Sequence, residues 1–348
     1  MKHFIIFIVL IFSGLSFFYF NREDRGKLND DRIIRVYASA SFVSKWGPAP
    51  KLKELFEKQG LYKVEFIESP DIGMTLQKIS FENLNSMTDV VLGLDQFDIS
   101  RSAQKIKWRS LSKDILGATV SELIKDNESL KEQTSFVPYD WSPMTFVARK
   151  NLAPTVEQLD DLLKTEFKSK IAMEDPRTSS AGIQFLAWVF TIKSETEATD
   201  YLKAMMKQAH SFSSGWSSAY GLFKNKQADM VFSYVSSPLY HQVEENDSSF
   251  IALEMKEPLP VQVEFVGVPE TCKNCEGAEK FVQFLLSKEA QKIVMSKNYM
   301  LPIVDSVKEA TVFDSLKIYK TIPIQFYDQE KIEKWINYWI EIRKNEGL

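Results

Sequence analysis

From Ile33 onward, short runs rich in Val and Ile alternate with stretches of helical periodicity, and this alternation constrains the fold more than any other feature of the chain. IIRVYASASF has the β-branched character of a strand. APKLKELFEKQG follows as a helix, with Pro near its start and Gly60 at its end. YKVEFIES is a second strand and MTLQKISFEN a second helix. TDVVLGLD is a continuous apolar run, the signature of a strand covered on both faces. Strands and helices in this order predict an α/β fold with a parallel sheet.

The alternation resumes after a long strand, FVPYDWSPMTFVAR, which Pro138 and Pro143 interrupt. SKIAME predicts a strand, SSAGIQFLAWVFTI and YLKAMMKQA helices, SFSSGW an irregular segment and SAYGLFKNKQ a short helix. ADMVFSYVSSP and VQVEFVGVPE predict two more strands, and GAEKFVQFLLSKEAQKIVMSKN one long amphipathic helix. Trp335, Tyr338 and Trp339 recur at helical spacing near the C-terminus, as core-packing residues do. The pattern is two α/β units in succession, with the long strands near 137–148 and 261–268 able to pass between them. Ligands of open α/β sheets sit beyond the carboxyl ends of the strands, so the segments after VYA, VLGL, IAME and FSY are where a site is expected.

The first 20 residues place Lys2 before an apolar run from Phe4 to Phe20, as in an export signal. The run is long for a signal and lacks an A-x-A cleavage site, so an uncleaved membrane anchor is the other reading. No Cys stands near Gly14 or Ser16 for lipid attachment, and residues 21–31 form a polar linker. Both readings put the remaining chain outside the cytoplasm. Cys272 and Cys275, in ETCKNCEG, suit a small loop disulfide, a redox pair or half a zinc site.

A net charge of −4 gives no electrostatic reason to expect nucleic acid. GxSxG, HExxH, P-loop and GxGxxG motifs are all missing from the sequence, and no cofactor is implied. His3 lies in the apolar leader, and His241 is expected as a partly exposed helix residue. The sequence therefore points away from an enzyme and toward binding. Trp216, Tyr234, Tyr240 and Tyr299 offer faces that attract cations. Thr178, Ser179 and Ser180 precede an apolar helix, as hydroxyls of an anion site or as plain caps. Asp71 is either a helix cap or a carboxylate facing a cation. A flat cation with an anionic tail would use all these parts.

The blocks VYASASFVSKWGPAPKLKELFE, DVVLGLD, FVPYDW, EDPRTSSAG, GWSSAYGLF, SYVSSPLYH and NYMLP resemble the periplasmic thiamine-binding proteins, the solute receptors of bacterial ABC transporters. The resemblance runs from about Val36 to Pro302. It implies a two-lobed periplasmic binding protein fold of type II with the ligand cleft between the lobes. Lobe 1 would comprise 32–138 plus about 262–305, and lobe 2 139–261, with 306–348 a C-terminal helical segment packed on both. The implied ligand is thiamine, thiamine monophosphate or thiamine diphosphate, the implied partner an ABC permease, and the implied state a monomer in the periplasm. Asp71 would face the charged or amino-bearing part of the ligand, Trp216, Tyr234, Tyr240 and Tyr299 would wall its rings, and Ser41, Trp46 and Ser180 would complete the pocket. The chain departs from the family pattern at Ser39–Ala40–Ser41 (usually Tyr–Asp–Ser), at Tyr299 (usually Trp) and at Ile72 (usually Gly). A related pyrimidine, iron(III) on the same fold, or a membrane-tethered sensory domain are the alternatives.

Overall fold

The computed structural model describes residues 32–69, 72–82, 88–111, 126–131, 133–151 and 156–346. The leader, the linker and Asp71 lie outside the described residues. Strand β1 (Ile33–Ser39) leads through a helical turn into helix α1 (Ala49–Glu57). Gly47 sits where that turn tucks under the chain: a Cβ there would lie 2.3 Å from the Ser41 carbonyl oxygen, so the WGP sequence has room for nothing larger. Strand β2 (Lys63–Ser69), helix α2 (Ile72–Glu82), strand β3 (Val90–Leu94) and helix α3 (Gln96–Ser102) complete the first unit. β1 lies between β2 and β3, parallel to both.

Strand β4 (Phe136–Arg149) is the predicted long strand, and it changes partners midway. Strand β9 (Val261–Gly267) pairs antiparallel with β4 from Phe136 to Pro143 and also with β3. From Met144 on, β4 pairs antiparallel with β7 (Met230–Tyr234) and β8 (Phe250–Ala252). Pro143 has no N–H to give, and its carbonyl takes the Val235 N–H at 3.0 Å, so the handover falls at a residue that cannot donate to a ladder. In the second unit β5 (Ile171–Glu174) runs parallel to β7 and to β6 (Ser211–Ser213), a short strand inside the segment expected to be irregular. The full order is β2-β1-β3-β9-β4-β7-β5-β6. The sheet is mixed rather than purely parallel, because β9 pairs antiparallel with β3 and β4, and β4 antiparallel with β7; β4 alone reaches both units, whereas β9 pairs only with β3 and the first half of β4.

Helices α4 (Ser180–Ile192), α5 (Glu195–Gln208), α6 (Trp216–Lys224) and α7 (Ser237–Glu244) cover the second unit. Its core is built on Phe146, Phe185, Trp188 and Phe232. The predicted long helix is two helices, α8 (Cys275–Leu285) and α9 (Lys288–Asn298), because the Ser287 side chain accepts the Ala290 N–H and starts the second. Val36, Leu92 and Phe281 anchor the core beneath α1 and α8. Strand β10 (Leu301–Pro302) pairs with β4. Cys272 and Cys275 form a disulfide in the turn before α8, where both the Lys273 and Asn274 N–H groups donate to Asp89 Oδ1 at 2.8 Å.

The final helix α10 (Gln329–Asn345) packs on α3, α4 and α5. Trp335 and Trp339 are buried, as their spacing predicts, but Tyr338 is only half-buried and its hydroxyl donates to Glu195 at the surface. Trp339 Nε1 and Arg343 donate to Asp175, each at 3.2 Å, and Arg177 clasps the same carboxylate at 2.6 Å. Burial would raise the Asp175 pKa, but the Arg177 and Arg343 guanidiniums hold it below the usual range.

Candidate ligand-binding site

Gly215 starts α6 with an extended backbone, and Trp216 is the first helical residue. The indole stacks on Tyr220 at 4.8 Å between centroids and lies 6.0 Å from the Tyr234 ring. Its Nε1 donates to Ser233 Oγ at 2.8 Å, so a neighbouring strand fixes the ring's orientation. The aromatic row continues through Tyr220, stacked on His241, to Tyr240 and then Tyr299, whose rings meet edge to face at 5.4 Å. Tyr299 caps α9 in the left-handed region (φ 54°), and Ser236 Oγ donates to its carbonyl at 2.5 Å. Its hydroxyl donates to Glu244, which also pairs with Lys297. Burial and the Glu244 carboxylate push the Tyr299 pKa up.

His241 corrects the expectation of an exposed helix residue: it is fully buried, with its ring 3.7 Å from that of Phe250. Tyr220 Oη and Glu245 hold its two nitrogens at 2.9 and 2.6 Å. Burial lowers its pKa despite the Glu245 carboxylate. Lys224 donates to Tyr240 Oη at 3.1 Å and pairs with Glu245. Tyr220 and His241 are thus parts of the wall that sequence reasoning did not assign.

Four carboxyls lie near the Tyr234 hydroxyl. Asp95 follows β3, Glu174 ends β5, and Asp140 and Glu264 stand opposite each other where β4 pairs with β9. Burial raises the Tyr234 hydroxyl pKa first, and then the charges of Glu264, Asp140, Glu174 and Asp95. Asn298 donates to Asp140 at 2.7 Å and Tyr139 Oη to Glu264 at 2.7 Å. Burial and the proximity of Glu264 raise the Asp140 pKa. Asp95 Oδ2, Asp140 Oδ1, Gln262 Oε1 and both Glu174 oxygens are buried without a hydrogen-bond partner among the described residues. Unpaired acceptors of this kind are rare in native interiors and mark a place where a donor or cation belongs. Of these, only Asp95, directly after VLGL, stands in a segment the strand-end rule points to; Glu174 is the last residue of IAME itself, and Asp140 and Gln262 lie within their strands.

Ser41 is half-buried and its hydroxyl meets that of Ser39 at 3.1 Å. Ser180 is the first residue of α4, half-buried, while the cap itself is Ser179, which accepts the Gly182 N–H. Gly182 allows that close turn: a Cβ would lie 2.7 Å from the Asp175 carbonyl carbon. Trp46 stands apart, 72% exposed, with Lys45 over its ring rather than another aromatic against it. The structure therefore brings Trp216, Tyr234, Tyr240 and Tyr299 into one region and leaves Trp46 outside the aromatic row.

An aromatic row beside unpaired buried acceptors in a two-unit α/β fold suits the binding of a small solute. The chain belongs to the bacterial extracellular solute-binding protein family, whose pattern matches residues 51–321. Within that class it is similar to thiamine receptors. It is 31% identical over 311 residues to the thiamine-binding periplasmic protein of Salmonella typhimurium, covering 88% of this chain and 92% of that protein. The solved structure of a periplasmic thiamin binding protein superposes with a TM-score of 0.78 at 27% identity, over 89% of this chain and 96% of that one. A ferric binding protein from Campylobacter jejuni shares the fold, with a TM-score of 0.72 at 18% identity over 90% of this chain and 98% of the other.

Proposed function

We propose that this chain is the extracytoplasmic receptor of an ABC transporter, binding thiamine or its phosphates and delivering them to the permease as a monomer. The observation that carries the reading is the convergence of the Trp216–Tyr220–Tyr234 stack with unpaired buried carboxyl oxygens. Thiamine is a flat cation: its rings suit the aromatic faces and its positive charge and amino group suit the acceptors. Tyr240 and Tyr299 close the far end of the wall. Ser180 and the start of α4 take any phosphate, Asp71 the charged or amino-bearing part of the ligand, and Ser41 and Trp46 the opposing rim. The two units act as lobes that meet at the β4 handover, and the ligand favours their closed state. Binding and delivery require no reacting side chain.

Calorimetric titration of residues 21–348 with thiamine, its monophosphate and diphosphate, and the free pyrimidine tests this. Saturable binding of a thiamine form is expected. Binding of the free pyrimidine alone would move the assignment to a related ligand, and binding of none would reduce the similarity to a shared fold.

A further inference from the structure

Glu174 is 1% exposed, and neither carboxyl oxygen has a partner among the described residues. Its place is set by register. It pairs with Ser213 of β6, and because Ala172 pairs with Val231 of β7, Glu174 comes abreast of Ser233 two residues on. Ala172 and Val231 face Ala219 and Tyr220 of α6, so the two-residue strand period carries Glu174 to that same side. Ser233 holds the Trp216 indole. The unpaired carboxyl thus lies at the strand end, on the side of the sheet that α6 covers and close enough to the Tyr234 hydroxyl to help raise its pKa.

An ionised carboxylate in that position would carry a desolvation cost with no counter-charge to offset it. Burial raises its pKa well above the ordinary carboxyl value. A neutral carboxylic acid offers one O–H donor and one carbonyl acceptor side by side.

We propose that Glu174 is a specificity residue of the pocket that, as a neutral acid, reads a ligand edge in which a ring nitrogen adjoins an exocyclic amino group. Its O–H donates to the ring nitrogen and its carbonyl accepts the amino N–H. The inference rests on the thiamine reading, since the aminopyrimidine of thiamine carries this edge. It adds a contact on β5 that the sequence resemblance did not assign.

The test compares Glu174→Gln with Glu174→Met, titrated with thiamine and with its 4-deamino analogue, which lacks the amino N–H on that edge. The Gln amide presents the same donor–acceptor pair, so E174Q should keep thiamine affinity within about threefold and keep the preference over the deamino analogue. E174M should lose about 10- to 100-fold in thiamine affinity and most of that preference, the scale set by unpaired polar groups. Apo E174M should unfold at or above the wild-type temperature, because an apolar isostere replaces an unpaired polar group. If E174M fails to fold, the E174Q affinity and preference decide. Wild-type affinity in E174M overturns the proposal, as does an E174Q as weak as E174M, which would make the residue an anion. Wild-type protein that binds no thiamine form removes the functional reading itself and this inference with it.

Discussion

Replacing Trp216 by Ala removes the ring on which the ligand assignment leans most. The indole is oriented from two sides, by the Tyr220 stack at 4.8 Å and by its hydrogen bond to Ser233. A cation over a desolvated Trp face contributes about 2 kcal/mol, and about 1.4 kcal/mol is a factor of ten in affinity. The expected loss for thiamine is therefore about 30-fold. The same substitution removes an aromatic pair of about 0.5–1.5 kcal/mol from the apo protein, so its unfolding temperature should also fall. Calorimetry well below that temperature separates the two effects. Trp216→Phe keeps a face without the N–H and should recover at least half of the lost binding free energy. An affinity for W216A within threefold of wild type, in protein shown to be folded, would refute the stacking argument.

Two further outcomes follow from the geometry. Gly182→Ala should destabilise the protein by about 1–3 kcal/mol, measured by denaturant unfolding, because its Cβ would meet the Asp175 and Pro176 backbone at 2.7 Å. Asp140 has its pKa raised in the folded state, so the fold holds a proton there that the unfolded chain releases above about pH 3.9. Its contribution to stability is then lost as pH rises from that value through the raised folded pKa. Asp140→Asn should flatten the fall in unfolding free energy as pH rises above about 4 relative to wild type, and a parallel pair of pH profiles would contradict the assignment.

Much of the fold was legible because apolar runs announce buried strands: FVPYDWSPMTFVAR matches β4 from Phe136 to Arg149. The handover of partners within that strand was not legible, since pairing depends on residues far along the chain. The split between α8 and α9 turned on one serine hydroxyl within a continuous amphipathic pattern. In the site, the aromatics declared themselves by type and spacing. Asp140 and Glu264 did not, because a carboxyl in a strand looks solvent-facing until its partner strand is known. His241 was misjudged for the same reason: Phe250, which covers it, belongs to a separate strand.

The Asp175 clasp has a consequence for the order in which the molecule can be completed. Asp175 and Arg343 are 168 residues apart. A chain emerging N-terminus first can form β5, α4 and the Arg177 contact early, yet the Trp339 and Arg343 donors arrive only with its last helix. Until then the second unit lacks the cover over its Asp175 turn, and the exposed apolar face awaiting Trp335 and Trp339 is open to chaperones and proteases. A truncation before Trp335 would leave the chain at that unfinished stage, far in sequence from the cleft it needs to build.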